Sequence, residues 1–190
     1  MLVRRALLAA ALSAPLARAQ ASTLEDDPYP YPYIGDAAPD FLAPLYGGGG
    51  VRLSEYRGKT VVLAFGGVWC PSCVLEEQDL NQLARLIETD PDMAFLAVHS
   101  GERFGRWGPR TRDVDVASEA IARYRARSNT HYPLAFDLDA QIARAYRLDA
   151  FPTILIIAPN GVIRGSTSDL KLRTVARFWS DVRIVAASSR

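Results

Sequence analysis

Apolar positions in this chain fall into short unbroken runs separated by longer stretches in which they recur every three or four residues. Thr60 to Phe65 is one such run, rich in β-branched residues, and predicts a buried strand. Beyond Pro71, the residues Leu75, Leu80, Leu83, Leu86 and Ile87 return near the period of a helix with one apolar stripe. Met93 to Val98 predicts a second buried strand, Val114 to Arg127 a helix, and Asp139 to Tyr146 a shorter helix. Ile154 to Ile157, the turn residues Pro159-Asn160-Gly161 and Val162-Ile163 predict strand, tight turn and strand. Asp169 is placed to cap a last amphipathic helix reaching about Val185. Strands that alternate with helices and close in a hairpin plus helix predict an α/β sandwich around one sheet.

Gly47 to Gly50 lies between the apolar stretch Phe41 to Tyr46 and the alternating Val51-Arg52-Leu53, which predicts a small opening hairpin. No Lys-Ser/Thr follows these glycines, so they lack the phosphate-contacting parts of a P-loop. Three segments break the alternation. Residues 1–19 carry Arg4-Arg5, an apolar run from Ala6 to Ala17 and small residues at Ala17-Arg18-Ala19, the pattern of a secretory signal cut after Ala19. The apolar run is interrupted by Pro15 and falls short of the ~20 residues that span a bilayer, so no stable membrane span is expected after its removal. The arginine pair leaves both general and twin-arginine export open. Residues 20–40, centred on Pro28 to Tyr33, read as an extended Pro/Tyr-rich arm serving as linker or recognition strip. Residues 100–113, with Pro109 and several arginines around Trp107, read as a surface insertion.

What remains, 41–186, suits one domain of ordinary size. A formal net charge of +1 provides no field to gather nucleic acid, which removes that class of partner.

The chain has two cysteines, in Trp69-Cys70-Pro71-Ser72-Cys73, where a strand ends and a helix begins. Unpaired N–H groups at a helix start favour a thiolate at Cys70, which makes it the candidate attacking sulfur. Pro71 suits the first helical turn, where a missing N–H costs nothing, and Cys73, one turn along and less exposed, becomes the candidate resolving thiol. As a staple the bridge closes too small a loop to stabilise by more than about 2 kcal/mol. His99, at the end of the Met93 to Val98 strand, is a candidate for reaching the sulfurs or for a local hydrogen bond, and His131 is a weaker one.

Val61 to Phe65 leading into the Trp69 to Cys73 motif, with Gly58-Lys59 before the strand, Phe151-Pro152-Thr153 and Pro159-Asn160-Gly161, resembles thioredoxin-like proteins. The similarity is strongest to the TlpA/ResA group of periplasmic thiol–disulfide oxidoreductases and extends from about Asp40 to Val185. It implies a thioredoxin-like three-layer α/β sandwich with a central mixed sheet and an N-terminal hairpin extension. It also implies a cis Pro152 facing the cysteine pair, a glutamate at Glu76 tied to proton handling, and supporting places for Trp69, Pro71 and Phe151. Glu76 equally fits a plain acid complementing the helix dipole. Ala64 departs from the pattern, since relatives often place Asp or Asn there, and so do Gly66-Gly67-Val68 and the bulky Phe151. The group needs no metal or organic cofactor beyond its redox-active disulfide. Its partners are protein thiols or disulfides and an upstream membrane reductase, with a reductant's role in cytochrome c or copper-site maturation.

Three other classes fit parts of the sequence. A copper or zinc carrier would use Cys70, Cys73 and His99. A thiol peroxidase would need Pro and Thr where Leu63 and Gly67 stand. A binding module would use Tyr29 to Tyr33 and the Trp107 loop around an inert bridge.

Overall fold

The computed structural model describes residues 34–101, 111–148, 150–170 and 174–188. The expected leader, the Tyr29 to Tyr33 strip and Trp107 lie outside them. Strand β3 (Thr60–Gly66) is buried along its whole length, which explains why its sequence does not alternate. Val62 and Ala64 pack into one core while Val61, Leu63 and Phe65 pack into another, so both faces of the strand are covered.

β3 is the middle strand of a five-stranded mixed sheet. On one side it pairs in parallel with β4 (Met93–Ser100), and β4 pairs in parallel with β5 (Leu134–Asp137). On the other side it pairs antiparallel with β6 (Thr153–Ile157), and β6 pairs antiparallel with β7 (Ile163–Thr167). One face is covered by α2 (Glu77–Glu88), α3 (Val114–Ser128) and α5 (Val175–Ser188) through Leu83, Ile87, Ile121, Phe178 and Val182. The other is covered by the short helix α4 (Gln141–Ala145) and by the hairpin of β1 (Leu42–Pro44) and β2 (Gly50–Arg52). These are the three layers and the opening hairpin implied by the resemblance.

Residues 35–38 are bonded to the β6–β7 turn. Gly35 N–H donates to the Ile163 carbonyl at 2.8 Å, Ile163 N–H to that of Asp36 at 2.9 Å, and Ala38 N–H to that of Gly161 at 2.8 Å. Gly161 has φ +81°, a left-handed conformation for which this turn requires glycine.

The structure corrects several expectations. β5 was not predicted: Pro133 precedes only three apolar residues, and the segment is a strand because β4 pairs with it from Ala97–Leu134 to Ser100–Asp137. The helix after Pro71 is two helices, α1 (Pro71–Leu75) and α2, divided at Glu76, and Leu75 faces solvent instead of joining the apolar stripe. Asp169 does not cap α5. β7 runs to Thr167, Asp169 N–H donates to the Thr167 hydroxyl at 3.3 Å, and α5 begins after Thr174, whose hydroxyl accepts from Arg177 N–H at 3.3 Å. The Asp139 to Tyr146 helix shortens to α4 because its cap comes from the end of β5. Asp137 accepts from Ile142 N–H at 3.0 Å, Ala143 N–H at 2.9 Å and the Ser100 hydroxyl at 2.8 Å.

Asp137 thus joins β4, β5 and α4 through three donors that its removal would leave without an acceptor. Asp137→Ala is expected to lower stability by on the order of 2 kcal/mol, read as a lower urea midpoint with unchanged slope.

Candidate active site

Cys70 is the N-cap of α1, with extended backbone (φ −91°, ψ 112°), and its sulfur accepts the Cys73 N–H at 3.2 Å. Pro71 occupies the first helical position, where no N–H is needed. Three residues of helical backbone bring the Cα atoms of Cys70 and Cys73 to 5.3 Å, and the two sulfurs form a disulfide. The sharp entry from β3 is made by residues 67–69, with Cys70 N–H donating to the Gly67 carbonyl at 3.1 Å.

Around Cys70, its sulfur lies 3.6 Å from the Phe151 carbonyl and 3.8 Å from the Ser72 hydroxyl. The Phe151–Pro152 bond is cis, the isomer implied by the resemblance. The Trp69 ring meets Phe151 edge to face at 5.6 Å between centroids, and its indole N–H donates to the Ser100 carbonyl at 3.0 Å. Ser100 in turn donates to Asp137, so the tryptophan beside the attacking position is fixed through β4 to the cap of α4. The expectation that Cys73 is the less exposed cysteine is not met: both residues are buried, Cys70 3% exposed and Cys73 6%. The Phe151 carbonyl and Ser72 hydroxyl crowd Cys70 from outside the disulfide.

On its inner side Cys73 rests on the end of β3. A Cβ added to Gly66 would stand 3.3 Å from the Cys73 sulfur and 3.4 Å from its Cβ, so glycine allows the helix to sit this close to the strand. Next to this contact is a cavity of about 20 Å³ lined by Cys73, Gly66, Ala64, Glu77, His99 and Pro152, among others. Ala64 contributes only a methyl group. His99, opposite Gly66 in the β3–β4 register, shares this cavity with Cys73, with its ring 6.2 Å from that of Tyr124. His131 instead pairs with Glu88 at 3.5 Å.

The two glutamates after the cysteines separate. Glu76, 2% exposed at the α1–α2 junction, accepts the Leu170 N–H at 3.2 Å. Glu77 lines the cavity and is equally buried. Its carboxylate accepts hydroxyl hydrogen bonds from Tyr124, from Thr130 and, at 2.7 Å, from Tyr132, with the Asn81 amide at 3.4 Å. Asn129, left-handed at φ 54°, ends α3 and turns the chain so that Thr130 and Tyr132 reach this carboxylate. Burial, then the Glu77 charge and Tyr124, push the Tyr132 phenol well above its ordinary value and keep it a donor. Sequence reasoning missed this cluster entirely. Its members lie on three segments, and nothing local distinguishes Glu77 from Glu76.

The AhpC/TSA family pattern matches residues 34–166. The chain belongs to the AhpC/TSA family. Among family relatives, it is 30% identical over 131 residues to the thiol-disulfide oxidoreductase ResA of Geobacillus kaustophilus, spanning 69% of this chain and 67% of that protein. Among solved structures, it superposes with a TM-score of 0.65 on a chain from Chlorobium tepidum described as a thiol:disulfide interchange protein DsbE, at 22% identity, covering 80% and 96% of the two chains. A secreted disulfide oxidoreductase of Mycobacterium tuberculosis gives a TM-score of 0.59 at 19% identity over 76% and 95%. Both structures establish the thioredoxin-like fold. With the Cys70–Cys73 pair in bonding range on that fold, this AhpC/TSA chain is a thiol–disulfide oxidoreductase whose redox group is its own disulfide. Among the described residues no group of three or more His, Cys, Asp or Glu is arranged to hold a metal ion, and no helix is long and apolar enough to cross a membrane.

Gly66 supplies a direct test of the packing beneath the disulfide. Gly66→Ala must displace Cys73 by a few tenths of an ångström, and the oxidised variant is expected to lose about 1–2 kcal/mol in urea unfolding.

Proposed function

We propose that this protein is an exported dithiol reductant of partner proteins in the cell envelope, with Cys70 as the attacking sulfur and Cys73 as the resolving one. The observation that carries the reading is the Cys73 N–H aimed at the Cys70 sulfur from the first turn of α1. A donor held on that atom favours its thiolate over its thiol, lowering the thiol's proton affinity. In the reduced protein the Cys70 thiolate attacks a partner disulfide, forming a mixed disulfide and releasing one partner thiolate. Cys73 then attacks the Cys70 sulfur, closing the Cys70–Cys73 bond and expelling the second partner thiolate. The partner gains two electrons and this protein loses them.

The supporting residues take their roles from position. Pro71 fixes the first turn, so that the two sulfurs stay in register. Trp69 and Phe151 form an apolar rim next to Cys70, and Pro152 lies at the start of β6 with its carbonyl neighbour against the sulfur. Glu76 fastens the α1–α2 junction to the segment after β7. Residues 41–186 act as one thioredoxin-like unit with 100–113 as an insertion, carried out of the cytoplasm by a leader cut after Ala19 and recharged by a membrane reductase. Cytochrome c and copper-site maturation are the reductant's tasks that fit this chemistry.

Two measurements test the reading. Reduced Cys70 is expected to be alkylated at a rate that titrates well below the ordinary thiol value of about 8.5, whereas an ordinary profile would remove the basis for attack. Cys73→Ser, expressed in the native host, is expected to accumulate Cys70-linked mixed disulfides that mass spectrometry identifies. Capture of partners through a cysteine of one of their own disulfides supports the reductant direction, and absence of any adduct counts against exchange with proteins.

A further inference from the structure

The exchange proposed above leaves one proton unaccounted for. Cys73 must lose its proton before it attacks the Cys70 sulfur, and that thiol is buried, with 6% exposure even in the disulfide. The strand beneath offers no side-chain acceptor, because the β3 residues that line the cavity are Ala64, Phe65 and Gly66. Glu76 is turned to the Leu170 N–H. Glu77 is the carboxylate that shares the cavity with Cys73, and the space of about 20 Å³ between the lining groups has room for one water.

We infer that Glu77 accepts the proton of Cys73 through a single water in this cavity, and that Tyr124, Tyr132 and Thr130 hold its carboxylate in place for this step. This rests on the dithiol reading of the function. The Cys73 thiol gives its proton to the water, which passes one to the Glu77 carboxylate. The Cys73 thiolate forms the bond to the Cys70 sulfur, and the Cys70–partner bond breaks. The partner leaves as a thiolate carrying the electron pair, while Glu77 returns its proton to solvent through the same cavity. One of the three hydroxyls that donate to Glu77 can rotate to accept its proton while the other two go on donating, so a protonated carboxyl is not stranded.

The groups facing Glu77 are Tyr124 from α3, Thr130 and Tyr132 from the α3–β5 connection, Asn81 from α2, and across the cavity Cys73 and His99. Stopped-flow mixing of the reduced protein with dithiobis(nitrobenzoate) separates their effects. The first release of coloured thiolate reads attack by Cys70, and the second reads attack by Cys73 on the mixed disulfide. Glu77→Gln is expected to slow the second phase about 10²-fold at pH 7, with the gap closing as the pH approaches the ordinary thiol value. A second phase that is unchanged, or slowed by one factor at every pH, overturns the inference. Tyr124→Phe removes one of the hydroxyls that hold the carboxylate, so the second phase is expected to slow while the first is unchanged, and an unchanged ratio of the two rates also overturns it. A first phase with an ordinary thiol profile in the unsubstituted protein would instead sink the dithiol reading itself.

Discussion

The hydrogen-bond register of β3 with its two neighbours is the constraint on which the site depends. The parallel ladder with β4 sets His99 beside Gly66, and the antiparallel ladder with β6 sets Thr153 beside Phe65. Residues far apart in the chain therefore meet at one end of the central strand. A slip of one residue in either ladder would turn Val62 and Ala64 to the wrong face and carry Pro152 away from Cys70. The strand is buried on both sides by two separate cores, so such a slip would disrupt both packings at once.

The two sides of the disulfide are chemically different. Outward, Cys70 meets a backbone carbonyl, a serine hydroxyl and the paired rings of Trp69 and Phe151. Inward, Cys73 lies against glycine and a small cavity whose far wall is a hydrogen-bonded carboxylate. A buried charge of that kind is tolerated only where donors replace the water it has lost. Here they are drawn from α2, from α3 and from the connection that follows α3, so the network also sets where those segments lie.

What could be read from the residues in advance was whatever depends on near neighbours. β3 announces itself by an apolar run, the opening hairpin by four glycines, and the cysteine pair by its spacing. The cis proline was reached through resemblance, because Phe151-Pro152-Thr153 alone carries no sign of what it faces. Long-range pairing escaped notice: β5 is a strand because β4 offers it a ladder, and α4 is capped by an aspartate that belongs to a different element. The break at Glu76 was hidden because Leu75 mimics the period of the stripe while pointing to water. Glu77 stood out least, since its character comes from hydroxyls 47 to 55 residues away.

The bonding of residues 35–38 to the β6–β7 turn has a mechanical corollary. That turn lies at the Val61 end of the sheet, since Val61 pairs with Ile157 while Phe65 pairs with Thr153. Four strand residues, about 13 Å, separate the two ends. The polypeptide therefore enters the domain at its heel and reacts at its toe, so a pull transmitted along the incoming chain is borne by the ladder at Ile163 and not by the loop that holds the sulfurs.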